Sequence, residues 1–492
     1  MYAGISVIIL LRTLPFVIFG RENNDSDEAV WGLIAKYFAQ SHIVPIFMYS
    51  PKGQVGMERF PLISWMAAPL FALSGTASVA MLRLPLLVIN LIVGNWLAYF
   101  IRREAGLGAW ATFACCLWFV LPSAKSSMEL MCAGSWSTEP FIFLLAMWAL
   151  RKKPLLAGYI AGFGAACRPF VIYGVLSMLI IENRVYGNTR KFYFLAVQWA
   201  TGVAAALGSG MLLALYGDTH WAFWGGNGST FYLKRFRFML EDLRGYFAEI
   251  LTQTVGLQIH HFTFPFNDTI YYSVLGFMLI PIGVYLLYVL LRSLLREYKE
   301  IWCLQIRTER FQFAFYLIGT GLVSFGVFVV FGPPTDDLRY TYLLFLTMIG
   351  LYVLQSLRVK SRWTKALCAA LLLGCTANNV LANGLVTQYL YELQKRHPTQ
   401  DLIDYLKAHE VKAAVGDYWI AYKLSFTSDG AIAAIPALEQ NPWVRQLQPI
   451  FLSTPLKNRA EIRFVSCLGG TPVGIWYVCP LSLANKQLTA SF

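Results

Sequence analysis

The chain has 492 residues, of which 57% are hydrophobic and 14% charged, and its formal net charge is +13. A soluble globular protein carries about 45–50% apolar and roughly 25% charged residues, so most of the surface of this chain belongs in lipid. Gly and Pro without a period exclude a collagen-like or disordered chain, and nine Cys spread thinly over the length exclude a disulfide scaffold. The basic excess would suggest nucleic acid in a soluble protein; in a membrane protein it first sets orientation.

Apolar runs near the roughly 20 residues a bilayer demands begin at Tyr2–Gly20, which Arg12 interrupts. There is no basic n-region and no small-residue cleavage site before Arg21, so this reads as a retained first helix and not a signal peptide. Further spans are expected at Ser78–Ile101, Gly108–Leu121, Pro140–Leu150, Leu155–Cys167, Pro169–Ile181, Phe192–Tyr216, Tyr271–Leu291, Phe311–Phe331, Tyr342–Leu357 and Ala366–Val386. That makes about eleven, several of them short. Leu155–Ile181 could be one long helix or two short ones meeting at Arg168-Pro169; charge argues for two, because only then do Arg190, Lys191, Arg292 and Arg310 join Arg102, Arg103, Arg151, Lys152 and Lys153 on the side of the N-terminus. This is the positive-inside pattern, with the N-terminus in the cytoplasm.

Four longer segments then face outward: Arg21–Arg59 with a short helix after it, Pro122–Glu139, Gly217–Thr269, and everything after about Thr387. In the last, Asp401–His409 repeats apolar residues at helical spacing, and Lys412–Val415 and Ile475–Val478 read as strands. The expected organisation is a transmembrane unit at 1–386, with its first outer loop at 21–77, and a small extracytoplasmic α/β domain at 387–492.

The first outer loop carries the densest chemistry. Asp25, Asp27 and Glu28 fall within four residues, just ahead of an amphipathic helix that follows from Ala29. A helix cap explains one acid and leaves two over. Glu58 follows in Tyr49-Ser-Pro-Lys-Gly-Gln-Val-Gly-Met-Glu-Arg-Phe60 with Lys52 and Arg59, ahead of a helix at Leu62–Leu73 too short to span. An acid at the membrane surface can deprotonate an acceptor hydroxyl, while Lys52 and Arg59 hold a lipid-linked phosphate; Glu58-Arg59 reads equally as a solvated ion pair.

Other cations are candidates by position. Arg12 lies inside a span, where a charge is costly and a functional reading is the default. Arg83, nearer a span end, snorkels easily. Arg168 can reach a phosphate from the outer face or anchor a helix end, and Arg339-Tyr340 at the mouth of a span suits a phosphate or sugar. Lys125 and Glu139 flank the second outer segment, and Lys234-Arg-Phe-Arg237 reads chiefly as an interfacial belt. His260-His261 lacks a partner at ligand spacing, Cys115-Cys116 read as packing residues, and Cys467 and Cys479 are free to form a disulfide in an oxidising compartment. No nucleotide-binding signature is present.

Span, acidic cluster Asp27-Glu28-Ala29, helix, loop with a second acid, juxtamembrane helix, then Ala80-Met-Leu-Arg-Leu-Pro85: in this order the chain resembles the GT-C membrane glycosyltransferases. The branch is that of the bacterial relatives of protein O-mannosyltransferases and the lipid A aminoarabinose transferase. Phe163–Tyr173 around Arg168-Pro169, Asp337-Leu-Arg-Tyr340 and Asp417–Phe426 extend the likeness over nearly the whole chain. The extra acid Asp25 and the spacing from Glu58 to Ala67-Ala-Pro69 depart from the branch's pattern. The resemblance implies a polytopic, mainly α GT-C-like fold in the cytoplasmic membrane. It implies transfer, with inversion, of a monosaccharide from a polyprenyl-phosphate carrier to a lipid, glycan or protein acceptor on the outer face. It implies an acid of the first outer loop as general base: Asp27 is the one expected, with Asp25 or Glu28 as its partner and Glu58 as a further acid, and the choice among Asp25, Asp27 and Glu28 stays open. By position, Arg12, Lys52, Arg59, Arg168, Arg339 and Tyr340 are expected around the substrate. No cofactor is required by the resemblance, although Asp25-Ser-Asp27 could hold a divalent metal. The rival readings are a flippase for lipid-linked sugars and a non-catalytic envelope assembly protein; outer-loop acids and the lack of an internal repeat weigh against transport.

Overall fold

The computed structural model describes residues 1–23, 26–41, 62–133, 138–186, 189–214, 236–245, 258–263, 267–296, 308–330, 343–358, 361–437, 447–467 and 469–480. The chain is a mainly helical, polytopic membrane protein. Among the described residues, four helical stretches are long and apolar enough to cross a bilayer, Val79–Glu104, Arg190–Ser209, Glu309–Val330 and one within Arg362–Ala408, beside shorter apolar helices.

In chain order the helices are α1 (Tyr2–Ile18), α2 (Ser26–Ser41), α3 (Leu62–Ser74), α4 (Val79–Glu104), α5 (Ala109–Val120), α6 (Ala124–Met131), α7 (Glu139–Ala149), α8 (Pro154–Cys167), α9 (Ile172–Tyr186), α10 (Thr189–Ala214) and α11 (Phe236–Gly245). After a hairpin of β1 (Gln258–Thr263) and β2 (Asn267–Tyr272) come α12 (Val274–Arg296), α13 (Glu309–Val330), α14 (Leu344–Arg358) and α15 (Arg362–Arg396). Each apolar run expected to span holds a helix among its described residues, since a lipid-facing backbone must satisfy its own hydrogen bonds. Their ends are marked locally. Ser78 caps α4 by accepting from the Met81 N–H at 3.3 Å, Ser361 caps α15, and Pro154 opens α8 where its missing N–H costs nothing. The chain also breaks at Arg168-Pro169: α8 stops at Cys167, a 3₁₀ turn covers Pro169–Val171, and α9 starts at Ile172. The strands at 258–272 and the short helix α6 escape a reading by hydropathy.

The helix ends sort into two groups. At one, the basic end, Glu104 closing α4 accepts from Arg151 Nη2 and Trp148 Nε1, both at 3.0 Å. Lys152 lies 3.7 Å from Glu309, and Arg310 donates to the Ala105 carbonyl at 3.2 Å. At the other, the loop end, residues of 12–31, 83–90, 121–139 and 168 meet. Residues 104, 151 and 309 gather at one end only if the runs between them alternate in direction as the charge pattern requires.

The chain continues beyond α15 into α16 (Pro398–Ala408), β3 (Ala413–Gly416), α17 (Tyr418–Thr427), β4 (Ala433–Pro436), α18 (Leu447–Ser453), β5 (Arg459–Arg463), β6 (Thr471–Val473) and β7 (Trp476–Pro480). The strands form one sheet in the order β4-β3-β5-β7-β6, with β3 parallel to β4 and β5, and β7 antiparallel to β5 and β6. Strand β3, Ala-Ala-Val-Gly, is buried throughout, as a central parallel strand covered on both faces must be. Cys467 and Cys479 are joined by a disulfide that ties the β5–β6 connection to β7.

Candidate active site

Helix α2 starts at Ser26, so positions 27 and 28 lie in its first turn, where the unsatisfied N–H groups and the helix dipole favour carboxylates. Glu28 is completely buried. Its Oε1 accepts from Arg83 Nε at 2.8 Å and from the Ala133 N–H at 3.1 Å, and its Oε2 accepts from Arg83 Nη2 at 2.6 Å. The second terminal nitrogen of Arg83 donates to the Phe16 and Gly20 carbonyls at 2.9 and 3.2 Å. One guanidinium thus closes the C-terminal end of α1 and fixes the first turn of α2 by a bidentate fork, a geometry a lysine does not offer. Gly20 permits it: a Cβ there would lie 1.9 Å from Arg83 Nη1.

A second buried pair lies beside the first. Arg168, at the break after α8, donates Nε to Glu139 Oε2 at the start of α7, and both side chains are fully buried. The Arg168 guanidinium also lies over the Trp31 ring, 4.8 Å from its centroid. Glu28 and Trp31 are one turn apart, so α2 touches both arginines. The Trp31 carbonyl in turn accepts from Ser64 Oγ of α3 at 2.7 Å.

Deeper along α1, Arg12 is held by neutral groups. Its Nη1 donates to the Phe119 carbonyl at 3.0 Å and its Nη2 to Asn90 Oδ1 at 2.5 Å. Asn90 Nδ2 reaches Thr138 Oγ1 at 2.8 Å and the Leu130 carbonyl at 3.3 Å. On α15, Asn379 and Asn383 donate to the Leu121 and Pro122 carbonyls at 3.0 and 2.9 Å. Leu121, Pro122, Leu130, Ala133, Thr138 and Glu139 are thus engaged by asparagines from two helices, by Glu28 and by Arg168.

The sequence expectations fare unevenly. Glu28 lies in the first turn of α2, and Arg168 meets the same helix at Trp31 one turn on. Arg83, expected to snorkel, instead turns inward to Glu28, since a buried carboxylate needs a full counter-charge. Arg12 and Arg168, expected at a lipid phosphate, are both engaged inside the bundle. Asp27 is described by its backbone alone. Asp25, Lys52, Glu58, Arg59, Arg339 and Tyr340 lie outside the described residues, as do Lys234 and Arg235; Arg237 is exposed and pairs with Glu241 at 2.9 Å. Asn90, Asn379, Asn383 and Trp31 were not singled out, although polar side chains within apolar runs are the signal that marks the asparagines. Among the described residues no group of three or more His, Cys, Asp or Glu could hold a metal ion.

No protein-family model matches the chain, and no curated protein matches it. Solved structures do. The oligosaccharyltransferase of Archaeoglobus fulgidus in its apo form is 10% identical with a TM-score of 0.45, over 89% of this chain and 64% of that one. The arabinosyltransferase EmbB of Mycobacterium smegmatis is 12% identical with a TM-score of 0.34, over 80% of this chain and 41% of that one. The chain thus spans less than two thirds of the length of either.

Proposed function

We propose that this protein is an integral membrane glycosyltransferase of the GT-C type. It moves a monosaccharide from a polyprenyl-phosphate carrier to an acceptor on the outer face of the cytoplasmic membrane. One observation carries the reading beyond the sequence resemblance: the helix that begins at the acidic cluster is anchored at the bundle mouth by Glu28–Arg83, with Arg168–Glu139 against its Trp31. With both Glu28 oxygens occupied, Glu28 is poorly suited to accept a proton from substrate, and the base falls to Asp27. Fixing residue 28 fixes the backbone of residue 27, about 100° round the helix axis.

In the reaction the Asp27 carboxylate takes the proton of the acceptor hydroxyl as its oxygen forms a bond to the anomeric carbon. The bond from that carbon to the carrier phosphate breaks with inversion, and the phosphate leaves with the electron pair. Lys52, Arg59, Arg339 and Tyr340 are assigned to the leaving phosphate and the sugar; Arg12 and Arg168 maintain the frame around them. The Cys467–Cys479 disulfide supports an oxidising compartment for the last 100 or so residues.

The test is donor turnover by purified protein in nanodiscs, wild type against Asp27→Asn. Loss of a general base is expected to lower kcat by about 10²–10⁴-fold. If the wild type turns over no polyprenyl-phosphate sugar, while vesicles containing it move the lipid between leaflets, the flippase reading takes its place.

A further inference from the structure

We propose that the α/β unit after the last span is a working part of the transfer site: its helix α17 braces α2, and Gly32, Lys36, Phe426 and Asp429 are positioning residues for Asp27. This rests on the function proposed above.

Positions 28, 32 and 36 recur along α2 at a spacing of four, which is one stripe of a helix. The first is held by Arg83 in the bundle, and the next two are held from outside it. At Gly32 the α2 surface is notched, and the ring of Phe426 fills the notch: a Cβ on residue 32 would lie 2.5 Å from two of its carbons. Phe426 is buried and also meets Phe71 of α3, with ring centroids 6.3 Å apart. One turn on, Lys36 Nζ pairs with Asp429 Oδ1 at 2.8 Å and donates to the Asp429 carbonyl at 2.5 Å. Asp429 and Gly430 have φ of 53° and 73°, the left-handed turn that ends α17, and the Gly430 N–H donates to the Ser425 carbonyl at 2.9 Å. The lysine of one helix thus sits at the negative end of the other. Just ahead of α2, Arg21 donates to Gln400 of α16 at 2.5 Å.

Gly is the poorest helix former after Pro, so a glycine in the middle of α2 answers to what packs there. The notch fixes where α17 sits along α2, and the lysine fixes the end of α17 against it. A simple tether between two units needs neither. A general base needs both, because its carboxylate must stay within a fraction of an ångström of a working position.

The experiment uses the full chain in nanodiscs, with a polyprenyl-phosphate sugar as donor and peptide-level hydrogen exchange over 26–41 on the same samples. Gly32→Ala is expected to lower kcat about tenfold or more through the Phe426 clash. The donor KM should stay within about twofold of wild type. Exchange over 26–41 should quicken, although Ala by itself strengthens a helix. Adding Phe426→Leu to Gly32→Ala should restore both kcat and exchange, and Lys36→Met should give an intermediate loss. Wild-type kcat and exchange in Gly32→Ala overturn the proposal, as does a loss that the paired variant fails to restore. If the wild type turns over no donor while exchange responds as stated and reverts in the pair, the transferase reading fails and the brace between α2 and α17 stands.

Discussion

The two ends of the helix bundle use the same side chains to opposite purposes. At the basic end the Lys152–Glu309 pair is 78% and 72% exposed, and Arg151–Glu104 is 12% and 11% exposed. At the loop end, Arg83–Glu28 is 3% and 0% exposed, and Arg168–Glu139 is fully buried. The exposed Lys152–Glu309 pair contributes about 0–1 kcal/mol and tolerates rearrangement, while Arg151–Glu104 is mostly buried and lies between the two kinds. A buried pair contributes little net stability over an apolar replacement, but losing one partner strands a charge, so it imposes geometry more than it adds stability. The loop end fixes the position of a helix.

The largest effect that tests this contrast is expected from Arg83→Ala, or from Glu28→Ala. Each leaves its partner charged and buried, and should cost about 3–5 kcal/mol, read as a fall in the unfolding midpoint in detergent. Arg83→Met with Glu28→Leu should recover most of that stability and none of the transferase activity proposed above. Recovery of both would show that the pair does not position α2. Next is Asn90→Leu, which removes the acceptor of Arg12 and the donor to Thr138. Hydrogen bonds within membranes are worth about 0.6–2 kcal/mol, so a loss in that range is expected. A double-mutant cycle with Arg12→Met isolates the shared bond, and full additivity would remove Asn90 from the account. The smallest effect belongs to Lys152→Ala at the basic end, within about 0.5 kcal/mol of wild type. A loss as large as that of Arg83→Ala would erase the distinction between the ends.

Much of this architecture is legible in the sequence, and the reason is locality. Whether a run such as Gly108–Leu121 is helical depends on its own apolar length, and the break at Arg168-Pro169 follows from a proline and the charges on either side. The helix at Asp401–His409 and the strand beginning near Lys412 carry their own periodicity, and lie within three residues of the ends of α16 and one of the ends of β3. The four-residue strand β4, the five-residue β5 and the three-residue β6 do not announce themselves. Segments so short take their state from the neighbours they pair with, and not from a pattern of their own.

The candidate site divides in the same way. Composition and order alone single out the acids of the first loop and the cations Arg12 and Arg168 inside apolar stretches; a role in glycosyl transfer is what the family resemblance implies for them. What each charge faces was decided by the tertiary structure: Arg83 meets Glu28 across 55 positions, Arg168 meets Glu139 across 29, and Arg12 meets Asn90 across 78. The union of Gly32 with Phe426 is of the same kind. A membrane forces the chain to hide every charge it carries inward, which the sequence declares. The choice of partner depends on which helices lie side by side, and that is settled only when the whole bundle packs.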